Sequence, residues 1–272
     1  MATAQSVCMT VGSSDSSGGA GIQGDVKTCM AMGAYCATVV VGITAQNTRG
    51  VVARADVPLR LIADQVSAVM DDIHIDAIKI GTVWSAEVMH LLADRFQGLR
   101  VPIVFDPVMK TSSGSRLNTD DEALEVARQR LLAISTVVTP NVAEAKILTD
   151  ARSVDLPATL SELVFALGAK AVLITDAMAP RGGDWLFDGT SHHLISAGER
   201  HPTGCEHGAG CAHSTALAIL LSRGFGLLPA AQEAHTVAAA AVRYGDVGVG
   251  VQSHPVDVAA GIARLTSRSD DG

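Results

Sequence analysis

His207-Gly208-Ala209-Gly210-Cys211 sets two glycines and a thiol directly before an Ala- and Leu-rich helical stretch, Ala212 to Leu221. Glycines at a helix start leave several backbone N–H groups pointing one way, and the positive end of the helix dipole adds to them. The chemistry of such a place is anion binding, phosphate above all. Cys211 holds its last position, where a thiol's pKa is drawn down and a base or nucleophile is at hand. The plainer reading is a glycine turn ahead of a buried helix with an inert core cysteine.

Asn141-x-x-Glu144 follows Pro140 at the end of an apolar run. It reads as a helix start with an Asn cap and a carboxylate at the favourable end. It reads equally as a pair holding hydrated Mg²⁺, an ion that keeps several waters and uses few carboxylates beside phosphates. Asp106, before Pro107, is either a turn aspartate or a partner in that metal task. Gly19-Ala20-Gly21-Ile22-Gln23-Gly24 matches G-x-G-x-x-G in letters only. Its first glycine lies well past the strand end expected at Val11, and no acidic residue ends the next strand, so a dinucleotide site is set aside. The Gly-, Ser- and Asp-rich segment from Gly12 to Gly21 reads instead as a loop contacting a small molecule. Cys205, His207, Cys211 and His213 are zinc-type ligands close in sequence, but their spacing is not that of a standard finger and the glycines split it. No G-x-x-x-x-G-K-[ST] occurs, which excludes a Walker-type kinase.

These groups need a scaffold. Apolar, β-branched runs recur at Val7 to Val11, Ala37 to Ile43, Ala77 to Ile80, Pro102 to Phe105, Thr136 to Thr139 and Ala171 to Thr175. Helical periodicity separates them, clearest in Leu59, Leu61, Ile62, Val66, Val69 and Met70, then over Ala86 to Phe96, Asp120 to Leu132 and Ser161 to Leu167. The alternation predicts right-handed βαβ crossovers and an α/β fold: a three-layer α/β/α sandwich on a mostly parallel sheet, with residues 1–272 forming one domain. The segments Gly12 to Gly21, Thr44 to Thr48, Asp106 to Met109 and Pro140 to Glu144 read as loops after strands, converging on one sheet edge. Asp188-Gly189 predicts a hairpin tip with Leu194-Ile195 on the return strand. The last third reads as helical over Ala212 to Ser222, Pro229 to Tyr244 and Val256 to Leu265.

Composition agrees. Of 272 residues, 48% are apolar but only 3% aromatic, so Val, Ala, Ile and Leu build the core, as suits strands covered on both faces. A net charge of −8 without a basic block argues against nucleic-acid binding. The start of the chain has no basic region followed by an apolar run, and no apolar stretch reaches membrane-spanning length. Five cysteines without regular spacing argue against a disulfide framework. The expectation is a soluble protein of a reducing cytoplasm.

In colinear order the chain carries Gly12-Ser13-Ser14-Asp15-Ser16-Ser17-Gly18-Gly19-Ala20-Gly21-Ile22-Gln23, Thr44-Ala45-Gln46-Asn47-Thr48-Arg49-Gly50-Val51, Lys79-Ile80-Gly81, Asp106-Pro107-Val108-Met109, Thr139-Pro140-Asn141 with Glu144, and Gly208-Ala209-Gly210-Cys211. From about Val7 to Pro255 this set resembles the hydroxymethylpyrimidine/phosphomethylpyrimidine kinases of thiamine biosynthesis, in the ribokinase-like superfamily. Some bacterial pyridoxal kinases share most of the motifs. The resemblance implies ATP-dependent phosphorylation of a small pyrimidine alcohol and then of its monophosphate, with Mg²⁺ as cofactor. It implies that Gln46 bonds the aminopyrimidine, and that Gly12, Asp25 and Val108 line the pocket. The backbone of Gly208, Ala209, Gly210 and Cys211 would form an anion hole, with Cys211 in the place of the general base. Asn141 and Glu144 would organise Mg²⁺, and a homodimer is the common assembly.

The chain departs from the family pattern at named places. Thr175-Asp176-Ala177-Met178 stands for Lys-Gly-Gly-His, and Thr82-Val83 for Met-Leu after Gly81. Glu206 replaces a Thr. The loop after Met109 reads Lys110-Thr111-Ser112-Ser113-Gly114 instead of Val-Ala-Lys-Ser-Gly, which gives Lys110 the task of meeting ATP phosphates. Pyridoxal or another heterocyclic alcohol as substrate, and a pyrimidine-binding homologue without turnover, are the competing readings.

Overall fold

Period-two alternation decides how the sheet is buried. Strand β1 (Val7–Asp15) sends Met9 and Val11 to one face and Cys8 to the other. β4 (Ala77–Ile80) likewise divides Ile78 and Ile80 from Ala77, and β5 (Ile103–Phe105) divides Ile103 and Phe105 from Val104. β7 (Val172–Ile174) divides Val172 and Ile174 from Leu173. All of these side chains are buried, so the sheet is apolar on both faces and needs a helical layer on each. The computed structural model describes residues 5–109, 121–177, 182–196 and 203–269. Lys110, Ser112 and Met178 lie outside the described residues.

The remaining strands are β2 (Tyr35–Asn47), β3 (Gly50–Asp56), β6 (Val137–Val138), β8 (Asp184–Phe187) and β9 (His192–Ile195). They form a nine-stranded sheet in the order β3-β2-β1-β4-β5-β6-β7-β8-β9. Strands β1, β2, β4, β5, β6 and β7 run parallel, while β3 pairs antiparallel at one edge and β8 and β9 pair antiparallel at the other. One face is covered by α2 (Leu59–Met70), α3 (Ala86–Phe96), α4 (Asp121–Val126), α6 (Val142–Thr149) and α7 (Pro157–Ala166). A wider turn at Ala127–Leu131 joins α4 to the short α5 (Leu132–Ile134). The other face carries α1 (Gly21–Ala31), α8 (Ala209–Ser222), α9 (Leu227–Arg243) and α10 (Val258–Ser269). The three-layer α/β/α reading holds, and so does the β8–β9 hairpin. Among the described residues no helix is long and apolar enough to cross a membrane.

Two of the expected loops are strands. β2 continues through Gln46 to Asn47, pairing with β3, and β1 continues to Asp15. β3 is exposed along most of its length, so no buried alternation announces it. Helix α1 buries Gly24, Asp25 and Thr28 beside Ile22 and Cys29, a polar inner face that hydropathy does not register. After β3 the chain returns to place β4 beside β1, on the side away from β2. That reversal opens a crevice at the carboxyl ends of the strands, the usual ligand position in open α/β sheets.

Candidate active site

A cleft of about 260 Å³ lies at that reversal. Gln46, Asp106, Val108, Asn141, Glu144 and Gly208 to Cys211 all line it. Gln46 reaches it because Thr44 and Gln46, continued by Thr48 just past the strand, form the buried side of the end of β2. The β2–β3 ladder also shifts register between Ala45 and Gln46, an irregularity of the kind that re-aims a side chain.

Gly12 and Asp25 do not belong to the wall. Gly12 packs behind Thr82, whose backbone nitrogen would lie 3.7 Å from a Cβ there. Asp25 is fully buried beneath the cleft and accepts two hydrogen bonds from Lys79 Nζ, at 2.9 and 3.1 Å, and one from Thr215 Oγ1 at 2.9 Å. It is a support of the site instead of a ligand contact, because an ion pair on β4 claims its carboxylate.

Other residues also line the cleft: Ser13, Asp15, Thr44, Thr82, Thr139, Thr175, Glu206 and His207, the last considered above only as a zinc-type ligand. His207 is the most consequential. Its ring is buried and Nε2 donates to Asp15 Oδ2 at 2.8 Å, with Ser17 Oγ 3.1 Å away. The loop after β1 is thereby pinned to the residue preceding the α8 glycines. Gly208 caps α8 with φ 88° and lies against Gly19, where a Cβ would come within 1.9 Å of the Gly19 carbonyl oxygen. Only glycine satisfies both the left-handed backbone and the close approach. In the first turn of α8 the Ala209 N–H donates to the Glu206 carbonyl at 3.1 Å, while Gly210 and Cys211, whose N–H groups have no carbonyl four residues back within the helix, line the cleft.

The phosphomethylpyrimidine kinase family model matches residues 15–257. The chain is 38% identical over 245 residues to the hydroxymethylpyrimidine/phosphomethylpyrimidine kinase of Rhizobium meliloti, covering 88% of this chain and 91% of that protein. The chain belongs to the phosphomethylpyrimidine kinase family. Solved structures agree on the fold. An ADP complex of Bacillus subtilis pyridoxal kinase matches with a TM-score of 0.86 at 28% identity, over 96% of this chain and 100% of that one. Phosphomethylpyrimidine kinase from Clostridium difficile matches with a TM-score of 0.72 at 31% identity, over 85% of this chain and 96% of that one. The protein is an ATP-dependent phosphotransferase with a ribokinase-like fold.

In this phosphomethylpyrimidine kinase relative the thiol of Cys211 runs against expectation. Burial pushes it up to about 12, although Lys79 and the Gly21 N–H pull the other way. The helix dipole is present, but a side chain 8% exposed loses more from desolvation of its thiolate than the dipole returns. Cys211 is a protonated thiol at neutral pH. Alkylation of Cys211 at pH 7.5 is therefore expected to be slower than that of a free thiol, and to accelerate steadily as pH is raised. Peptide mapping after timed iodoacetamide treatment checks this, and rapid labelling at neutral pH would contradict it.

Asn141 and Glu144 form a reciprocal capping box. Glu144 N–H donates to Asn141 Oδ1 at 2.9 Å and Asn141 N–H donates to Glu144 Oε2 at 3.0 Å. Met109 N–H adds a contact to Glu144 Oε1 at 3.3 Å. The carboxylate thus serves the helix and faces the cleft at once. Burial, followed by the charge of Asp106, pushes the Glu144 carboxyl up to about 8. Asp106 is itself raised by burial, while Ser214 Oγ donates to its Oδ2 at 2.9 Å. A buried carboxyl raised further by the charge of a second buried carboxyl is a fit place for a divalent cation, which relieves it.

Proposed function

We propose that the protein transfers the γ-phosphoryl group of ATP to the hydroxymethyl group of hydroxymethylpyrimidine, and then phosphorylates the resulting monophosphate, in thiamine biosynthesis. The observation that carries this reading is one cleft holding an amide, Gln46, together with the glycine-rich N-terminus of α8. The amide presents a donor and an acceptor to an aminopyrimidine edge. The α8 N–H groups accept the charge that develops on the moving phosphoryl group. Glu144 and Asp106 would hold Mg²⁺, with Asn141 positioning Glu144. When bound, Mg²⁺ supplies charge neutralisation to the phosphate oxygens. Lys110 belongs to this reading as a phosphate contact, outside the described residues. A loose transition state needs little proton removal before the new bond forms, so a protonated Cys211 contacts the substrate hydroxyl while the backbone donors supply most of the rate. A cytoplasmic homodimer completes the proposal.

The test is ADP formation with hydroxymethylpyrimidine, its monophosphate and pyridoxal. Turnover of the two pyrimidines should exceed that of pyridoxal. The reverse order would favour a pyridoxal kinase, the activity of the Bacillus subtilis neighbour. No ADP with any of them would favour a binding protein without turnover.

Glu144 makes the metal assignment testable. Its folded value of about 8 lies above the ordinary 4.5, so between these values the unfolded chain has lost a proton that the folded chain keeps. The carboxyl's contribution to stability falls as pH rises from 4.5 to about 8 and is level beyond. Mg²⁺ requires the carboxylate, so its binding releases a proton in that window. The Mg²⁺ concentration for half-maximal activity should drop as pH rises toward 8. Glu144→Gln should need more Mg²⁺ and lose that pH dependence. Identical magnesium titrations in parent and variant would leave Glu144 a helix cap alone.

A further inference from the structure

One cluster takes no part in this chemistry. Asp184 opens β8, His213 lies two residues beyond Cys211 on α8, and His235 stands mid-way along α9. All three side chains are largely buried. Asp184 Oδ2 is 2.7 Å from His235 Nδ1 and 3.2 Å from His213 Nε2. One ligand-type atom from each residue lies within 4.8 Å of the other two, the only such trio of His, Cys, Asp or Glu among the described residues. The Cys205, His207, Cys211 and His213 set considered from spacing does not assemble, and His213 alone of it enters a cluster.

His213 supplies the second observation. Neither of its ring nitrogens has a hydrogen-bond partner among the described residues, and its 3.2 Å approach to Asp184 lacks hydrogen-bond alignment. A buried imidazole with both nitrogens unserved calls for an explanation. Asp184 is already oriented, since its Oδ1 accepts the Asp176 N–H at 2.9 Å, the kind of outer contact that fixes metal ligands.

We propose that Asp184, His213 and His235 bind a divalent transition-metal ion, with zinc the chemical match, at a site distinct from the Mg²⁺ position. Two imidazoles and one carboxylate suit zinc and disfavour Mg²⁺, which takes oxygen ligands. Tetrahedral zinc with bonds of about 2.1 Å separates its ligand atoms by roughly 3.4 Å, so the two pairs at Asp184 need open by less than about 1 Å. The fourth position is left for water. The ion ties α8 and α9 to the edge of the sheet and so steadies the helix whose first turn forms the anion hole.

The test uses the full chain, freed of metal by chelator and titrated with Zn²⁺ and Co²⁺. The expected result is roughly one equivalent of Zn²⁺ bound with Kd below about 1 μM. The Co²⁺ form should show tetrahedral d–d bands without a sulfur-to-metal charge-transfer band. His213→Gln and His235→Gln should each weaken Zn²⁺ binding by about tenfold or more, while Cys211→Ser leaves it unchanged. Absence of stoichiometric binding, a thiolate band, or unchanged affinity in both glutamine variants would overturn the site. The cobalt spectrum of the unaltered chain decides the matter even where a variant fails to fold. Because it reads ligation and not turnover, it stands apart from the kinase assay.

Discussion

Lys79→Met is expected to lower the unfolding free energy by about 3–5 kcal/mol, the cost of leaving one member of a buried ion pair alone. Lys79 is 1% exposed in the middle of the sheet, and Asp25 on α1 is its hydrogen-bonded counter-ion. The carboxylates of Asp25 and Asp106 hold the ammonium protonated against the effect of burial. The local sequence makes room for it: a Cβ at Gly81 would come within 2.5 Å of Lys79 Nζ. With the cation gone, Asp25 keeps only the Thr215 hydroxyl and must either protonate or admit water. Urea denaturation at neutral pH measures the loss. Lys79→Met combined with Asp25→Leu should recover most of it, because replacing both charges by apolar groups is far less costly than removing one. A single variant within about 1 kcal/mol of the parent would show that the pair is replaceable by water.

Gly208→Ala is expected to reduce kcat about a hundredfold, the usual effect of displacing one oxyanion-type donor. The added methyl would collide with the Gly19 carbonyl at 1.9 Å, so either the β1–α1 loop or the start of α8 must move. Either motion disturbs the N–H groups that face the cleft. Gly33→Ala separates this from simple backbone strain. Gly33 has a similar φ of 66°, but a Cβ there meets nothing within 4 Å. That variant should lose about 1 kcal/mol of stability and keep its kcat. Gly210→Ala is a second comparison, since its Cβ meets only Asp106 Oδ2, at 3.9 Å. Steady-state ADP assays with circular dichroism on all three would reveal the difference. Equal kcat in Gly208→Ala and Gly33→Ala would remove the anion hole from the mechanism.

Much of this was readable from residue order. The runs at Ala77 to Ile80 and Ala86 to Phe96 are a strand and a helix with those limits, because their burial is one-dimensional: each residue's face follows from its position in the repeat. The convergence of Gln46, Asp106, Asn141 and Glu144 was also legible, since parallel strands deliver their carboxyl ends to one edge. What stayed hidden depends on contacts between distant segments. Lys79 and Asp25 are 54 positions apart, and nothing local marks either as buried. Helix position alone predicts a lowered Cys211 pKa; burial, helped by the charges of Asp25 and Asp106, reverses it. His207 reads as a metal ligand beside Cys205 until the fold places Asp15 against its ring.

The strand order also bears on how the chain is made. Apart from the return to β1, each strand pairs with the one synthesised just before it, so the sheet can grow outward as the chain leaves the ribosome. The helices α8, α9 and α10 come last, yet α8 covers β1, β4 and β5, which were made first. Until then Ala77 and Val104 lack the cover of α8, an apolar surface open to chaperones or to aggregation. The contacts that close the cleft, Gly19 on Gly208 and Asp15 on His207, join the two ends of this interval. A nascent protein released before α8 would carry all nine strands of the sheet but not the glycines against which the β1–α1 loop closes.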